Sequence, residues 1–468
     1  MYSVPICTLT GVVGLWAGSP GLVQAQILPA RTSSTISAVA DQATTQWIFE
    51  LQCRSSLDGG IPAFNLPFPS SLSSQYVSIA EDGAVGIRVI LGGAEGVFYG
   101  QGGTGSVIFT ANTSGNPVWS SSLDLRNNMI AIEMGGFGDG AQLYTTDGTL
   151  MHDFGIGGDE GVSGFTGITL TGDGAICYRA DSGAVDKLIV DEFAQGSRTQ
   201  TLIAETGTGT YSFLFSPEIN DARQIVANTI AQGSTRRIVR FDTQGVPTTI
   251  AETGGQWNAF VNSAAIAQSG SVAFSARRSA GSIWEVLRWD GMTMTTTTIG
   301  SGDHPDIQNG SIANFPPVIN SSGTVAFRAS DVSNDSTAVW VGNGTDLTKL
   351  VEWDQMIDTD LGPIALGYDF GGFTGRQVVN GVIDINDQGQ IAMSLFLRNG
   401  TIGVFVATPV QSECVVDFNN DGQLNFFDVS AFLKLFADAN LDADLTNDGK
   451  LNFFDISAFL EAFGAGCP

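Results

Sequence analysis

The sequence predicts an all-β chain: a β-propeller of about seven blades over residues 34–410, carrying a small α-helical module at 414–468. Three observations predict this. A hairpin phrase recurs seven times at the spacing of four short strands. Gly occupies 59 of the 468 positions, which favours turns and short strands over long helices. A second, better preserved repeat closes the chain, where "DFNNDGQLNFFDVSAFLKLF" from Asp417 returns as "DLTNDGKLNFFDISAFLEAF" from Asp444.

Composition sets the class. Apolar residues make up 43% and charged residues 14%, the profile of a globular protein rather than a disordered one. The 47 acids against 20 bases leave a net charge of −27, which repels phosphate backbones and argues against a nucleic-acid partner. Val4 to Trp16 is a short apolar core followed by Val23-Gln24-Ala25. Residues 1–25 therefore read as a secretory signal peptide, without the usual basic residue before the core. No later run is long enough to span a membrane, and the expected location is secreted or cell-surface. Removal of the leader takes Cys7 with it and leaves Cys53, Cys177, Cys414 and Cys467. Cys414 and Cys467 bracket the terminal repeat and are expected to pair. Cys53 and Cys177 either form a second bridge or stay as buried thiols.

The clearest hairpin phrases are "IAQSGSVAF" at Ile266, "INSSGTVAF" at Ile319 and "INDQGQIAM" at Ile385. Fainter ones begin at Ile79, Leu170, Ile219 and Leu125. Each places an apolar residue, a polar turn and an alternating apolar strand in order, which is a hairpin signature. The turn markers fall at 83, 128, 174, 223, 270, 323 and 389, giving intervals of 45, 46, 49, 47, 53 and 66. The last interval is expected to hold a loop insertion around "DQMIDTDLGPIALGYDFGGF". The final copy ends at "GVFVATPV" without a fourth strand, and "STISAVADQ" near the N-terminus resembles the missing one. The two ends are therefore expected to share a blade and close the ring, which removes exposed sheet edges.

These phrases resemble the exported tandem-repeat family with an NxxGxxAF signature, which is often joined to varied anchoring modules. "NSSGTVAF" at Asn320 fits the signature fully. The resemblance implies no activity.

Chemistry is sparse in the ring. The residue two past the Ile of "IAETG" is Glu205 in one copy and Glu252 in the next, with counterparts Asp41, Asn112, Asp153, Ser301 and Glu352. Five carboxylates at one level would offer a cation or sugar a binding ring, although acids also favour exposed turns. His152 and His304 lack Cys or Glu at zinc-ligand spacing. Serine-hydrolase, zincin and nucleotide-loop motifs are missing. Two carboxylates suffice for glycoside hydrolysis, and such a pair has no linear signature among so many acids. Trp257, Trp284, Trp340 and Trp353 read mostly as blade core.

The terminal repeat is the chemical signal. Asp417, Asn419, Asp421, Asn425 and Asp428 occupy positions 1, 3, 5, 9 and 12 of a calcium loop, with Gly422 at the sharp turn and Gln423 offering its carbonyl. Asp444, Thr446, Asp448, Lys450, Asn452 and Asp455 repeat the set, offset by 444 − 417 = 27 residues. Two Ca²⁺ ions are expected, the second held more weakly because the Thr446 hydroxyl reaches less far. Each loop runs into a helix, with Val429, Phe432, Leu433 and Phe436, then Ile456, Phe459, Leu460 and Phe463, as apolar faces. Asp at position 12 and the missing first helix depart from an ordinary EF-hand. Residues 414–468 resemble a dockerin of the type ending in Gly-Cys. That resemblance implies attachment to a cohesin-like domain of a scaffold or surface protein. Positions 10 and 11 choose the partner in that family and usually carry small polar residues; here they are Phe426-Phe427 and Phe453-Phe454, which implies either an unusual partner or internal packing of the aromatic pairs. The near-identity of the halves implies two docking orientations. The sequence thus reads as a non-enzymatic, exported propeller that displays a binding surface for a polysaccharide or protein. The alternative is a docked polysaccharide-degrading enzyme.

Overall fold

The structure, a computed structural model, describes residues 46–57, 59–92, 94–111, 122–134, 140–155, 164–194, 197–371, 375–410, 416–419, 424–446 and 448–465. The expected leader, the "STISAVADQ" segment, Cys414, Cys467, Asp421 and Gln423 lie outside these residues.

Residues 46–410 fold as a seven-bladed β-propeller. Blades 1 to 7 span 71–111, 123–155, 164–205, 211–252, 257–301, 318–351 and 384–410, each built on four antiparallel strand positions from channel to rim; the inner position of blades 4 and 5 is split into two short strands, and two short strands from 368–377 join the sheet of blade 6, one of them parallel to its third strand. Blade 7 supplies only three from its own segment. Its outer position is filled by Gln46–Arg54, paired antiparallel with Ile402–Val410. The ends therefore share a blade as expected, but the closing strand is "QWIFELQCR" rather than "STISAVADQ".

The NxxG turn has a physical reason to recur. In blade 7, Asn386 Oδ1 accepts from Gln390 N–H at 2.9 Å, which shapes its own hairpin, while Nδ2 donates to the Ala80 carbonyl of blade 1 at 3.0 Å. Asn220 does the same between blades 4 and 5, reaching the Ala267 carbonyl at 3.0 Å. Asn320 reaches the Asn386 carbonyl across the next seam. All three side chains are buried, so each satisfies the buried backbone of a turn and sews one blade to the next. The following residue adds a second stitch: Asp387 accepts from Ser321 N–H and Asp221 from Gly172 N–H, each at 2.7 Å. The turn residue before the second strand needs a left-handed backbone, hence Gly389 at φ +76°. Blade 4 puts Arg223 there at φ +59°, and its guanidinium pairs with Asp173 and Glu192 of blade 3. Alternate residues of the strands fill the seams between blades. Ile266, Phe274 and Leu287 of blade 5, for example, meet Val226 and Ile238 of blade 4.

The long last interval is not a plain loop. Met356–Thr359 and Gly362–Ala365 form a hairpin, and Asp360 at its tip takes both Nε and Nη2 of Arg54 at 2.8 Å. Arg54 lies at the end of the closing strand and its side chain is fully buried. The insertion thus clasps the strand that closes the ring. Cys53 and Cys177 are both buried and free, one in blade 7 and one in blade 3, so the possible second bridge does not form. Trp257, Trp340 and Trp353 are core residues of three separate clusters, and Trp284 packs against the one that holds Trp340.

After the ring, α1 (Phe426–Ala437) and α2 (Phe453–Ala465) pack together. The equivalent rings of Phe432 and Phe459 stack at 4.2 Å, with Phe418 against both. The helix faces differ from expectation at one place in each. Leu433 and Leu460 are 51% and 60% exposed, and Leu435 and Ala462 pack inward instead. The cause is rotational. Asp428 and Asp455 at the helix starts are turned inward to hold their loops, which swings positions 433 and 460 outward. No helix among the described residues is long and apolar enough to cross a membrane.

Candidate functional site

Two places gather chemistry: the loops that start the terminal helices, and the channel end of the ring. The loops are built around the aspartate at position 12. Asp455 Oδ2 accepts from Asn452 N–H at 2.8 Å, and Oδ1 accepts from Thr446 N–H at 3.1 Å and from the Thr446 hydroxyl at 2.8 Å. In the first loop, Asp428 takes Asn425 N–H at 2.8 Å and Asn419 N–H at 3.3 Å. Asn425 and Asn452 cap their helices by accepting from Phe427 and Phe454 N–H. Asp428 and Asp455 are fully shielded. The Asn452 N–H, against the opposing effect of burial, leads the groups that hold Asp455 below its ordinary pKa. Burial opposes ionisation of Asp428 too, but the Asn425 and Asn419 N–H groups outweigh it.

The donor set is all oxygen, which fits a hard cation. Asp417 lies within hydrogen-bond reach of Asp428, and Asp444 of Asp455. Such like-charged contacts call for a cation or a proton between them. Asp444 also turns its oxygens to the N–H groups of Asp448 and Gly449, at 3.2 and 2.7 Å. Lys450 N–H donates to Asp448 at 2.8 Å. Among the described residues, no three His, Cys, Asp or Glu side chains crowd closely enough to cage a metal by themselves.

The second place is a cavity of about 140 Å³ at the centre of the ring, lined by the inner strands of all seven blades. Apolar residues line it on every side, but its ionisable groups are lopsided. Blades 5 and 6 contribute Ala264, Ile266, Pro316, Pro317 and Val318, whereas blades 7, 1, 2 and 4 contribute Asp384, Ser78, Asp124 with Arg126, and Glu218. Ser78 Oγ lies 3.2 Å from Asp124 Oδ1 and 3.0 Å from Asp384 Oδ2, so two carboxylates share one hydroxyl. Backbone N–H groups fix the rest: Leu170 to Asp124, Ile79 and Ile385 to Asp384, and Ile266 to Glu218. Arg126 stands 3.7 Å from Asp124 with its side chain 17% exposed. Burial opposes its charge, and the surrounding carboxylates of Asp124, Asp384, Glu218 and Glu81 outweigh that and hold its pKa above the usual range. Burial, with the Asp384 and Asp124 charges, pushes Glu218 up to about 8 against the pull of Arg126. Burial also raises Asp384. A glutamic acid that keeps its proton at neutral pH thus shares a cavity with carboxylates on neighbouring blades.

The expected ring of acids does not converge. Asp153, Glu205, Glu252, Ser301 and Glu352 sit on or beside the outermost strands, spread around the rim, while Asp41 and Asn112 lie outside the described residues. Glu252 and Glu352 pair locally with Arg237 and Lys349. His152 lies tilted against Phe193, ring centroids 4.3 Å apart, and His304 lies beside Trp340. The channel acids had a readable signal at another register. The residue just before each hairpin's apolar position is Ser78, Asp124, Thr169, Glu218, Ala265, Val318 and Asp384. Aligning that inner-strand position rather than the outer turn would have found them.

The chain is thus a seven-bladed β-propeller with a two-helix, loop-paired C-terminal module. Among solved structures it is similar to an oligogalacturonate lyase from Vibrio parahaemolyticus, at 10% identity, TM-score 0.50, covering 78% of this chain and 98% of that one. It is also similar to an oligogalacturonate lyase in complex with manganese, at 10% identity, TM-score 0.49, covering 79% and 99%. At this identity the likeness is one of fold. No protein-family model and no curated protein matches the chain.

Proposed function

We propose that the chain is an exported propeller attached to a scaffold or cell-surface protein by its dockerin-like module, while the ring offers a binding surface to a polysaccharide. Asp417, Asn419, Asp421, Gln423, Asn425 and Asp428 would hold one Ca²⁺. Asp444, Thr446, Asp448, Lys450, Asn452 and Asp455 would hold the other, Gln423 and Lys450 through their carbonyls. Bound calcium supplies the charge that lets three carboxylates share each loop. The observation that carries the docking reading is a pair of matching open faces. Phe426 and Phe427 are 75% and 68% exposed, Phe453 and Phe454 are 74% and 69%, and Leu433 and Leu460 lie open on the same helices. The aromatic pairs are therefore not internal packing. Large apolar side chains repeated on two related helices suit burial against a cohesin-like partner. Binding of the full chain to immobilised cohesin domains, in calcium and then in chelator, tests this. Capture that persists in chelator, or no capture of the calcium-loaded chain by any cohesin tested, contradicts it.

The channel favours a second reading, a polysaccharide-degrading enzyme docked to the same kind of complex. Glu218, with its pKa pushed up to about 8, lines the same cavity as the Asp124 and Asp384 carboxyl groups, and such a set has the makings of an acid and base pair. The activity named for the neighbouring fold puts pectic oligosaccharides first in a substrate screen. Turnover by the native chain that is lost in Glu218→Gln supports the enzyme. Glycan binding without turnover supports the binder.

A further inference from the structure

Three arginines among the described residues are almost wholly buried: Arg54, Arg88 and Arg328. Arg54 is neutralised by Asp360 and Arg88 by Glu95. Arg328 is 4% exposed and has no carboxylate partner among the described residues. Its Nη2 donates to the Val379 carbonyl at 3.0 Å, its guanidinium carbon lies 3.7 Å from the centre of the Phe315 ring, and Nε and Nη1 have no acceptor there. Val379 belongs to the segment leading into blade 7, so the guanidinium is wedged at the seam between blades 6 and 7.

Equivalent residues elsewhere show what this position needs. Each is the fourth residue of its blade's second strand. Asn228 of blade 4 donates to the Val261 carbonyl at 2.7 Å, and Arg179 of blade 3 to the Leu214 carbonyl at 3.1 Å. The stitch to the next blade thus requires one N–H and no charge, because a neutral amide makes it in blade 4. Where blade 3 uses an arginine, Asp181 stands at 3.1 Å to balance it. Only at Arg328 is the charge left over, together with two buried donors. Burial pulls its pKa down to about 9, so it stays charged at neutral pH. A buried, unneutralised cation is far more unfavourable than a buried neutral donor, and buried polar groups in native proteins find partners. Internal water would satisfy the donors but not the charge.

We infer that a small monovalent anion of chloride size binds at Arg328, against its Nε and Nη1 donors, within the seam between blades 6 and 7. This site is independent of the calcium loops and of the channel. The ion would stiffen the seam that the clasp hairpin also spans, making ring stability depend on a specific anion rather than on ionic strength.

The test is thermal unfolding of the full chain at fixed calcium and fixed ionic strength, with sodium gluconate replaced stepwise by sodium chloride. The ring transition should rise saturably by several degrees as the anion fills its site. Arg328→Gln keeps an amide for the Val379 carbonyl, as Asn228 does for Val261, and should remove the chloride response. Bromide-soaked crystals of the native chain should give an anomalous peak beside the guanidinium, which decides the matter even if the variant does not fold. Equal transitions in both salts, a chloride response that survives Arg328→Gln, or ordered water without bromide beside Arg328 would each overturn the inference.

Discussion

The ring and the tail both repeat, for different physical reasons. In the ring the repeat serves the seams: where a turn carries Asn, that side chain shapes its own hairpin and reaches the neighbouring blade. Asn220, Asn320 and Asn386 make that reach, while Ala80 and Ala267 receive it through their backbone carbonyls. Such a repeat tolerates substitution, because a donor on one side is enough. In the tail each loop must assemble its own set of oxygens, and the helices must stack ring on ring at Phe432 and Phe459. Few substitutions satisfy both, so the two copies stay almost identical. Sequence likeness between repeats therefore reports how many roles each position carries.

The comparison can be broken most severely at the clasp. Arg54→Ala leaves Asp360 without its partner, and should destabilise the ring by about 3–5 kcal/mol. Denaturant unfolding should record this in the ring transition while the tail keeps its own response to calcium. Docking should respond next. On the proposed docking reading, replacing Phe426 and Phe427 with Ser, or Phe453 and Phe454 alone, should leave one of two docking orientations. Replacing all four should weaken capture at least about a hundredfold, near 2.7 kcal/mol, with helix content by circular dichroism unchanged. A smaller effect is expected for Asn386→Ala, which orphans buried groups at the seam between blades 7 and 1. It should lower ring stability by about 1–3 kcal/mol without altering capture.

The smallest effect separates the regions by sign. Glu218 has a folded pKa of about 8 against an ordinary 4.5, so the folded ring binds the proton more tightly than the unfolded chain. Its contribution is full below 4.5 and falls as pH rises towards 8. Asp428 and Asp455 have lowered values, so their contribution is present above the ordinary carboxylate range and is lost as acid protonates them. Glu218→Gln should flatten the ring's pH dependence between 4.5 and 8, and leave the tail's acid transition in place.

Much of the fold was legible in the sequence because a propeller's strand count and turn spacing are repeated information. The parts that were not legible occur once. "QWIFELQCR" closes the ring through backbone pairing and the Arg54–Asp360 contact, and its sequence does not resemble the outer strands of the other blades. The clasp hairpin has no copy to align. At the candidate site, inward and outward acids look alike until the inner strand is fixed, which is why Glu205 and Glu252 drew attention and Asp124, Glu218 and Asp384 did not. Leu433 and Leu460 fit the apolar spacing of a helix. Their outward turn depends on Asp428 and Asp455 facing in, a constraint set by the loops rather than by hydrophobic periodicity.

The most direct measurement is calorimetric titration of the metal-free full chain with Ca²⁺, followed by scanning calorimetry of the loaded and stripped forms. The account predicts two ions per chain and a tail transition that appears only with calcium, together with cohesin capture, while the ring transition stays where it was. No calcium uptake, or a tail that melts identically with and without chelator, would contradict it.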